Sequence, residues 1–237
     1  MREEFIFTPP AQASVAIQGT TKRFPVRRIF CVALNYADHA REMGKEPSRA
    51  APFFFTKPAD AIVEDAALIA YPSLTNNLHH EIELVVALAQ GGFEIPVSRA
   101  KDCVFGYAAG VDLTRRDLQN EARQQGRPWD MSKGFDHSAP IGALRPAREI
   151  GHPDRGKIAL SVNGEIRQNG DLCELIHPVP QIIAALSQQV ALAAGDLIFT
   201  GTPAGVGPLN PGDWVEGEIE GVGRVSFTIT DKIGCAR

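Results

Sequence analysis

Apolar positions along this chain fall into short runs whose spacing changes, and each change predicts a different element. Arg28 to Leu34 (RIFCVAL) is almost continuously apolar, as in a buried strand, and Asn35 to Met43 (NYADHAREM) predicts a short helix after it. Gly44 to Pro52 (GKEPSRAAP) combines glycine, proline and charge, which predicts a mobile, lid-like loop before a strand at Phe53 to Thr56. Glu81 to Ala89 (EIELVVALA) alternates and then turns continuously apolar, as expected of a strand exposed at one end and buried along its length. Val104 to Leu113 is a second such strand. Arg115 to Gln125 is rich in helix formers and stops at Gly126, which predicts a polar helix. Beyond it come a strand at Ile158 to Val162 running into the turn Asn163-Gly164 and a helix from Val179 to Val190. A strand at Leu197 to Thr200 and a closing pair near Val215 to Ile219 and Arg224 to Ile229 complete the set. Strands outnumber helices and do not alternate with them, which argues against a doubly wound sheet or a (β/α)₈ barrel and predicts a strand-rich α+β fold.

Composition narrows the class without naming a function. The 237 residues suffice for one well-formed core, read as a short N-terminal segment over 1–22 and a single domain over 23–237. The hydrophobic fraction of 44%, the charged fraction of 22% and the net charge of -4 are ordinary for a globular protein. Basic residues are scattered, so no nucleic-acid partner is expected. The start lacks the order of a secretory signal and no apolar run approaches the ~18 residues of a membrane span, so a cytoplasmic protein without a membrane partner is expected. Cys31, Cys103, Cys173 and Cys235 stand far apart with no CxxC pair, which fits reduced thiols.

Candidate chemistry starts at His79-His80-Glu81-Ile82-Glu83. Side chains alternate along a strand, so Glu81 and Glu83 point to one side and can converge on a cation, with Asp112 at the end of another apolar strand as a third acid. Three carboxylates suit Mg²⁺ or Mn²⁺ better than zinc. By spacing alone the pair also fits the solvent face of an edge strand. The segment is not HExxH, and the two histidines read as structural or supporting residues. His39 and Glu42, three apart on a helix, lie on one face, where the carboxylate can fix the imidazole tautomer; a surface pair is the other reading. Lys133 sits beside Gly134 in a loop-like stretch, as an oxyanion stabiliser or a solvated cation. The run Gly201 to Gly207 follows a strand but is neither GxGxxG nor a Walker loop. It fits a plain turn, or one that brings the Thr202 hydroxyl and backbone N–H groups to an anionic ligand.

Taken in order, these segments resemble the fumarylacetoacetate hydrolase family, in its small acylpyruvate hydrolase branch that includes fumarylpyruvate hydrolases. The resemblance runs from about Arg28 to about Ile229. It rests on Asn35-Tyr36 with His39 and Glu42, on Phe55-Thr56-Lys57-Pro58, on His79 to Glu83, and on Asp112 to Gln119. It continues through Lys133-Gly134-Phe135-Asp136, Val162-Asn163-Gly164-Glu165 and Gly201-Thr202-Pro203. One departure is Ala33, where many relatives carry glycine. The resemblance implies a mixed β-roll, usually a homodimer, over a catalytic domain spanning 23–237. It implies Glu81, Glu83 and Asp112 as ligands of Mg²⁺ or Mn²⁺, His39 with Glu42 as the water-activating dyad, and Lys133 as the oxyanion cation. Lys57, Arg116, Gln119 and Thr202 would hold the polar groups of a small keto-acid substrate. The implied reaction is hydrolysis of a carbon–carbon bond in an acylpyruvate, giving pyruvate and a carboxylic acid. Decarboxylation of oxaloacetate or an oxo-dicarboxylate, isomerisation of a related dienoate, or non-catalytic keto-acid binding would use the same metal site.

Overall fold

The computed structural model describes residues 5–47 and 50–232. Ser48 and Arg49, within the expected lid loop, and Cys235 lie outside the described residues. Two sheets carry the fold. The first is mixed and six-stranded, in the order Arg145–Pro146, Val104–Val111, Ile82–Leu88, Asp196–Phe199, Arg28–Ala33, Phe53–Lys57. Its neighbours are antiparallel except Asp196–Phe199 with Arg28–Ala33. The second has five strands, in the order Glu165–Asp171, Lys157–Val162, Trp214–Ile219, Gly223–Thr230, Ala67–Ala70, the last pair parallel. This is the strand-rich mixed architecture the patterning predicts.

The strand Ile82–Leu88 is apolar throughout because both its faces are covered. Ile82, Leu84, Val86 and Leu88 enter the larger core, which they share with Leu160, Val215 and Phe227 of the second sheet and with Ile182 and Leu186 of the helix Val179–Ser187. Val85 and Ala87 enter a smaller core with Ile29, Leu197 and Phe199. By the same alternation Glu83 belongs to the second face. The expected exposed end is absent: Glu81 is buried as well, so the polar start of the strand faces an interior pocket and not solvent.

Most predicted elements occur with shifted ends. The helices run Ala37–Glu42, Arg116–Gln124 and Val179–Ser187. The third ends three residues before Val190, where the Ser187 hydroxyl donates to Ala184 O at 2.8 Å and accepts from the Ile95 N–H at 2.8 Å. Asn163 and Gly164, with φ of 53° and 81°, make the two-residue turn between Lys157–Val162 and Glu165–Asp171. Lys133 sits not in a loop but at the end of a one-turn helix, Asp130–Lys133. Short strands escaped the patterning, among them Leu78–His80 between Thr114–Arg115 and Gly207–Leu209. So did the hairpin Ser14–Ala16 with Arg23–Pro25, whose Val15 and Phe24 pack into the smaller core, so the 22/23 boundary falls inside a packed unit.

Gly110 pairs with Glu83 across the sheet, and a Cβ there would lie 2.6 Å from Val85 Cγ2 and 2.9 Å from Phe199 Cε1. Gly110→Ala is therefore expected to cost about 1–3 kcal/mol through overpacking. Urea unfolding checks this, and an unchanged midpoint would contradict the packing described.

Candidate active site

The register that sets Ile82 opposite Val111 brings Asp112, just past one strand, beside the start of the other. Glu81, Glu83 and Asp112 are buried, and each offers an oxygen within 4.8 Å of the others. Buried like charges are unfavourable unless cations and donors meet them. Lys133 Nζ donates to Glu81 Oε2 at 2.8 Å and to Asp112 Oδ2 at 2.6 Å, and Arg116 pairs with the other oxygen of Glu81. The Gly201 N–H donates to Glu83 Oε2 at 2.7 Å. For Glu81, burial is the largest influence and acts upward, but Lys133 and Arg116 outweigh it and hold the carboxyl below its usual range. Glu83, which no ion pair reaches among the described residues, is pushed well up by burial and then by Asp112 and Glu81.

Lys57 is placed differently from its expected role as a substrate contact. Its ammonium is buried behind the acids, 2.7 Å from Asp112 Oδ1 and donating to the carbonyls of Leu113 and Lys133. Its contact with Asp112 is an ion pair buried on both sides. An all-carboxylate donor set that converges in this way fits a hard divalent cation such as Mg²⁺ or Mn²⁺. Lys133 also differs from a free cation. An ammonium has three donors, and Lys133 engages Glu81, Asp112 and the Thr114 hydroxyl, the last at 2.7 Å.

His39 of the dyad faces the same pocket, which it lines together with Glu81, Glu83, Lys133 and Thr202. His39 is buried on the helix Ala37–Glu42, and its Nδ1 lies 3.0 Å from Glu42 Oε2. That leaves Nε2 as the nitrogen open to accept a proton. Glu42 Oε1 accepts from the Gly205 N–H at 3.0 Å. Burial acts upward on Glu42, but the bonds from His39 and Gly205 prevail and lower its pKa from the ordinary 4.5.

From sequence, the run Gly201 to Gly207 fits a turn offering N–H groups to an anionic ligand; in the fold the anions are the protein's own. Gly201 holds Glu83 and Gly205 holds Glu42, so one turn ties the acid cluster to the dyad. Both glycines have positive φ, 98° and 97°, and neither has room for a side chain: a Cβ would meet Asn35 Cβ at 2.7 Å and Arg167 O at 2.1 Å.

Gln168, which the sequence patterning does not single out, ties the strand start to the turn. Its Oε1 accepts from the Ile82 N–H at 3.0 Å and faces His80 Nδ1 at 3.0 Å, while its Nε2 donates to Thr202 Oγ1 at 2.7 Å and Pro203 O at 2.8 Å. A backbone N–H only donates and a carbonyl only accepts, so the amide orientation is fixed, and His80 Nδ1 must carry a proton. Thr202 Oγ1 therefore accepts from Gln168 and keeps its own O–H to donate into the pocket. The available signal was position alone: Gln168 is the buried residue on an otherwise open strand, Glu165–Asp171. His79 stays outside the cluster, 2.9 Å from Asn77 Oδ1, and burial followed by Arg116 pushes its pKa down to about 4. Arg116 and Gln119 line the pocket from one face of the helix Arg116–Gln124 and bond each other, so the Gln119 amide N–H groups remain available as donors.

Gly205→Ala is expected to detach Glu42 and lower turnover while Mn²⁺ affinity persists; Gly201→Ala, which acts on Glu83, lowers Mn²⁺ affinity too. Mn²⁺ titration followed by electron paramagnetic resonance separates the two, and equal losses in both variants would contradict the division. Because its folded pKa is lowered, Glu42 contributes stability that is complete above pH 4.5 and is lost as pH falls through its folded value. Glu42→Gln should therefore lower the melting temperature at pH 7, and the gap to the unmutated protein should close as pH falls below 4.5. A gap that widened on acidification would refute this.

Comparison with known proteins agrees with this geometry. The model of the fumarylacetoacetate (FAA) hydrolase C-terminal domain matches residues 28–230. A crystal structure of fumarylpyruvate hydrolase from Pseudomonas aeruginosa in complex with Mn²⁺ and pyruvate superposes with a TM-score of 0.95 at 49% identity, covering 97% of this chain and 100% of that one. The fumarylpyruvate hydrolase of Ralstonia sp is 44% identical over 75% of this chain and 92% of its own length. Human mitochondrial oxaloacetate tautomerase FAHD1 is 40% identical over 86% of this chain and 91% of its own. On the match of fold and family model, the chain belongs to the fumarylacetoacetate hydrolase family.

Proposed function

We propose that this protein hydrolyses the carbon–carbon bond of acylpyruvates, with fumarylpyruvate favoured, to give pyruvate and a carboxylic acid. The observation that carries the reading is that His39, with its Nδ1 held by Glu42, lines one pocket with Glu81 and Glu83. Glu81, Glu83 and Asp112 would hold Mg²⁺ or Mn²⁺, which supplies Lewis-acid polarisation of a keto-acid and stabilisation of enolate charge. The Thr202 hydroxyl and the Gln119 amide orient the substrate's carboxylate end. His39 Nε2 takes a proton from water while Glu42 holds Nδ1–H, and the hydroxide adds to the distal carbonyl. Lys133 provides positive charge toward the developing oxyanion; donating a hydrogen bond to it requires giving up one of its present acceptors. The bond to the methylene carbon then breaks, its electron pair forms the pyruvate enolate, and that carbon takes a proton from the His39 imidazolium. The reading includes a cytoplasmic homodimer.

A second reading, oxaloacetate tautomerisation, is favoured by the relative at 40% identity, since one base beside a polarised keto-acid can also move a proton at carbon. A coupled pyruvate assay over acylpyruvates, beside an ultraviolet assay of oxaloacetate enol and keto forms, separates the two.

Chelation is expected to abolish turnover, and full activity in a verified metal-free sample would overturn the metal assignment. His39→Ala should lower kcat by ~10²–10⁴-fold with Mn²⁺ and oxalate affinity nearly intact, and Glu42→Gln should lose less. Unchanged acylpyruvate turnover in His39→Ala would make the dyad assignment wrong.

A further inference from the structure

The pocket changes character along its length. Its buried end is the charged cluster; its walls include Val32, Leu34, Phe55 and Trp129; and two further cations, Lys45 and Arg123, line it from more exposed positions. Among the described residues neither cationic side chain has an ion-pair or hydrogen-bond partner. Their placement follows from the elements that carry them. Arg123 stands seven residues after Arg116 on the helix Arg116–Gln124, two turns on and therefore on the same face. Arg116 touches Glu81 in the cluster, so Arg123 lies farther out by the helix rise, about 10 Å. Lys45 follows the dyad helix, and its backbone N–H donates to Ala40 O at 2.8 Å, which fixes its root beside that helix.

We propose that Lys45 and Arg123 form a subsite for a second carboxylate at the far end of the substrate, so that the pocket selects dicarboxylic over neutral-tailed acylpyruvates. This rests on the reading of the site as a keto-acid pocket. An extended diacid with its keto-acid end at the cluster would carry its second carboxylate outward along this helix, toward the more exposed part of the pocket that Lys45 and Arg123 line. Its keto-acid end would lie at the cluster, its middle along the apolar walls, and its terminal carboxylate at the two cations. A neutral tail would leave two cations partly desolvated and unpaired, whereas a carboxylate satisfies both, and Arg can do so with two parallel bonds.

The test compares 2-oxopimelate, a seven-carbon diacid, with 2-oxoheptanoate, its monoacid counterpart, by calorimetry on the Mn²⁺-loaded protein. The unmutated protein should bind the diacid more tightly. The double variant Lys45→Met, Arg123→Met should lose about tenfold or more in diacid affinity, while monoacid affinity moves by less than about twofold. Arg123→Lys should retain part of the preference. Equal affinities in the unmutated protein, or equal losses for both ligands in the double variant, would overturn the subsite; equal losses would mean that the cations only attract anions at long range. Fumarylpyruvate and acetylpyruvate are assayed alongside with unmutated protein. If neither is cleaved while the diacid preference vanishes in the variant, the hydrolase reading falls and the subsite stands.

Discussion

Three carboxylates buried within a few ångströms of one another set the terms for everything around them. Each ionised acid taken from water must be compensated by charge or by donors, and the chain brings both from separate elements. Lys57 comes from an edge strand, Lys133 from a one-turn helix, Arg116 from the polar helix, and a backbone N–H from Gly201. The compensation is incomplete: Glu83 lacks an ion pair among the described residues, and burial with its two acidic neighbours pushes its carboxyl well up. What remains unsatisfied is the chemistry that a divalent cation completes.

The same constraint explains the turn after the strand Asp196–Phe199. Two residues with positive φ and no room for a side chain deliver N–H groups to an acid of the cluster and an acid of the dyad. The Glu42 side chain is thus held by the same turn that holds Glu83 of the cluster. Gln168 supplies the complementary tie, joining the start of the acid-bearing strand, His80 and the Thr202 hydroxyl through one buried amide. A half-satisfied amide in that place would be costly, which makes the arrangement specific.

Relatives described as a fumarylpyruvate hydrolase and as an oxaloacetate tautomerase are similar to this chain at comparable identity, 44% and 40%. Both reactions need a polarised keto-acid and one base, so the buried end of the pocket does not distinguish them. What differs between the substrates lies at the other end of the molecule, where side chains such as Phe55, Trp129, Lys45 and Arg123 line the pocket.

Periodicity alone determined the strand-rich class, because burial on two faces leaves a continuous apolar run and a polar helix does not. It also put Glu81 and Glu83 on one side, since alternation along a strand is a property of the backbone. Asp112 joined them only through strand register, which pairs residues almost thirty positions apart and leaves no local pattern. Burial was likewise undecidable from spacing: the same Glu-Ile-Glu fits a solvated edge until two sheets close over it. Lys57 was expected by resemblance to hold substrate and not to be sealed behind the acids, and Gln168 was not legible at all, because its four partners lie in two stretches of chain remote from it, at 80–82 and 202–203. Local patterning thus determined which residues alternate and which segments are buried. Which charges meet was decided by tertiary structure, because electrostatic partners are chosen by distance in space and not along the chain.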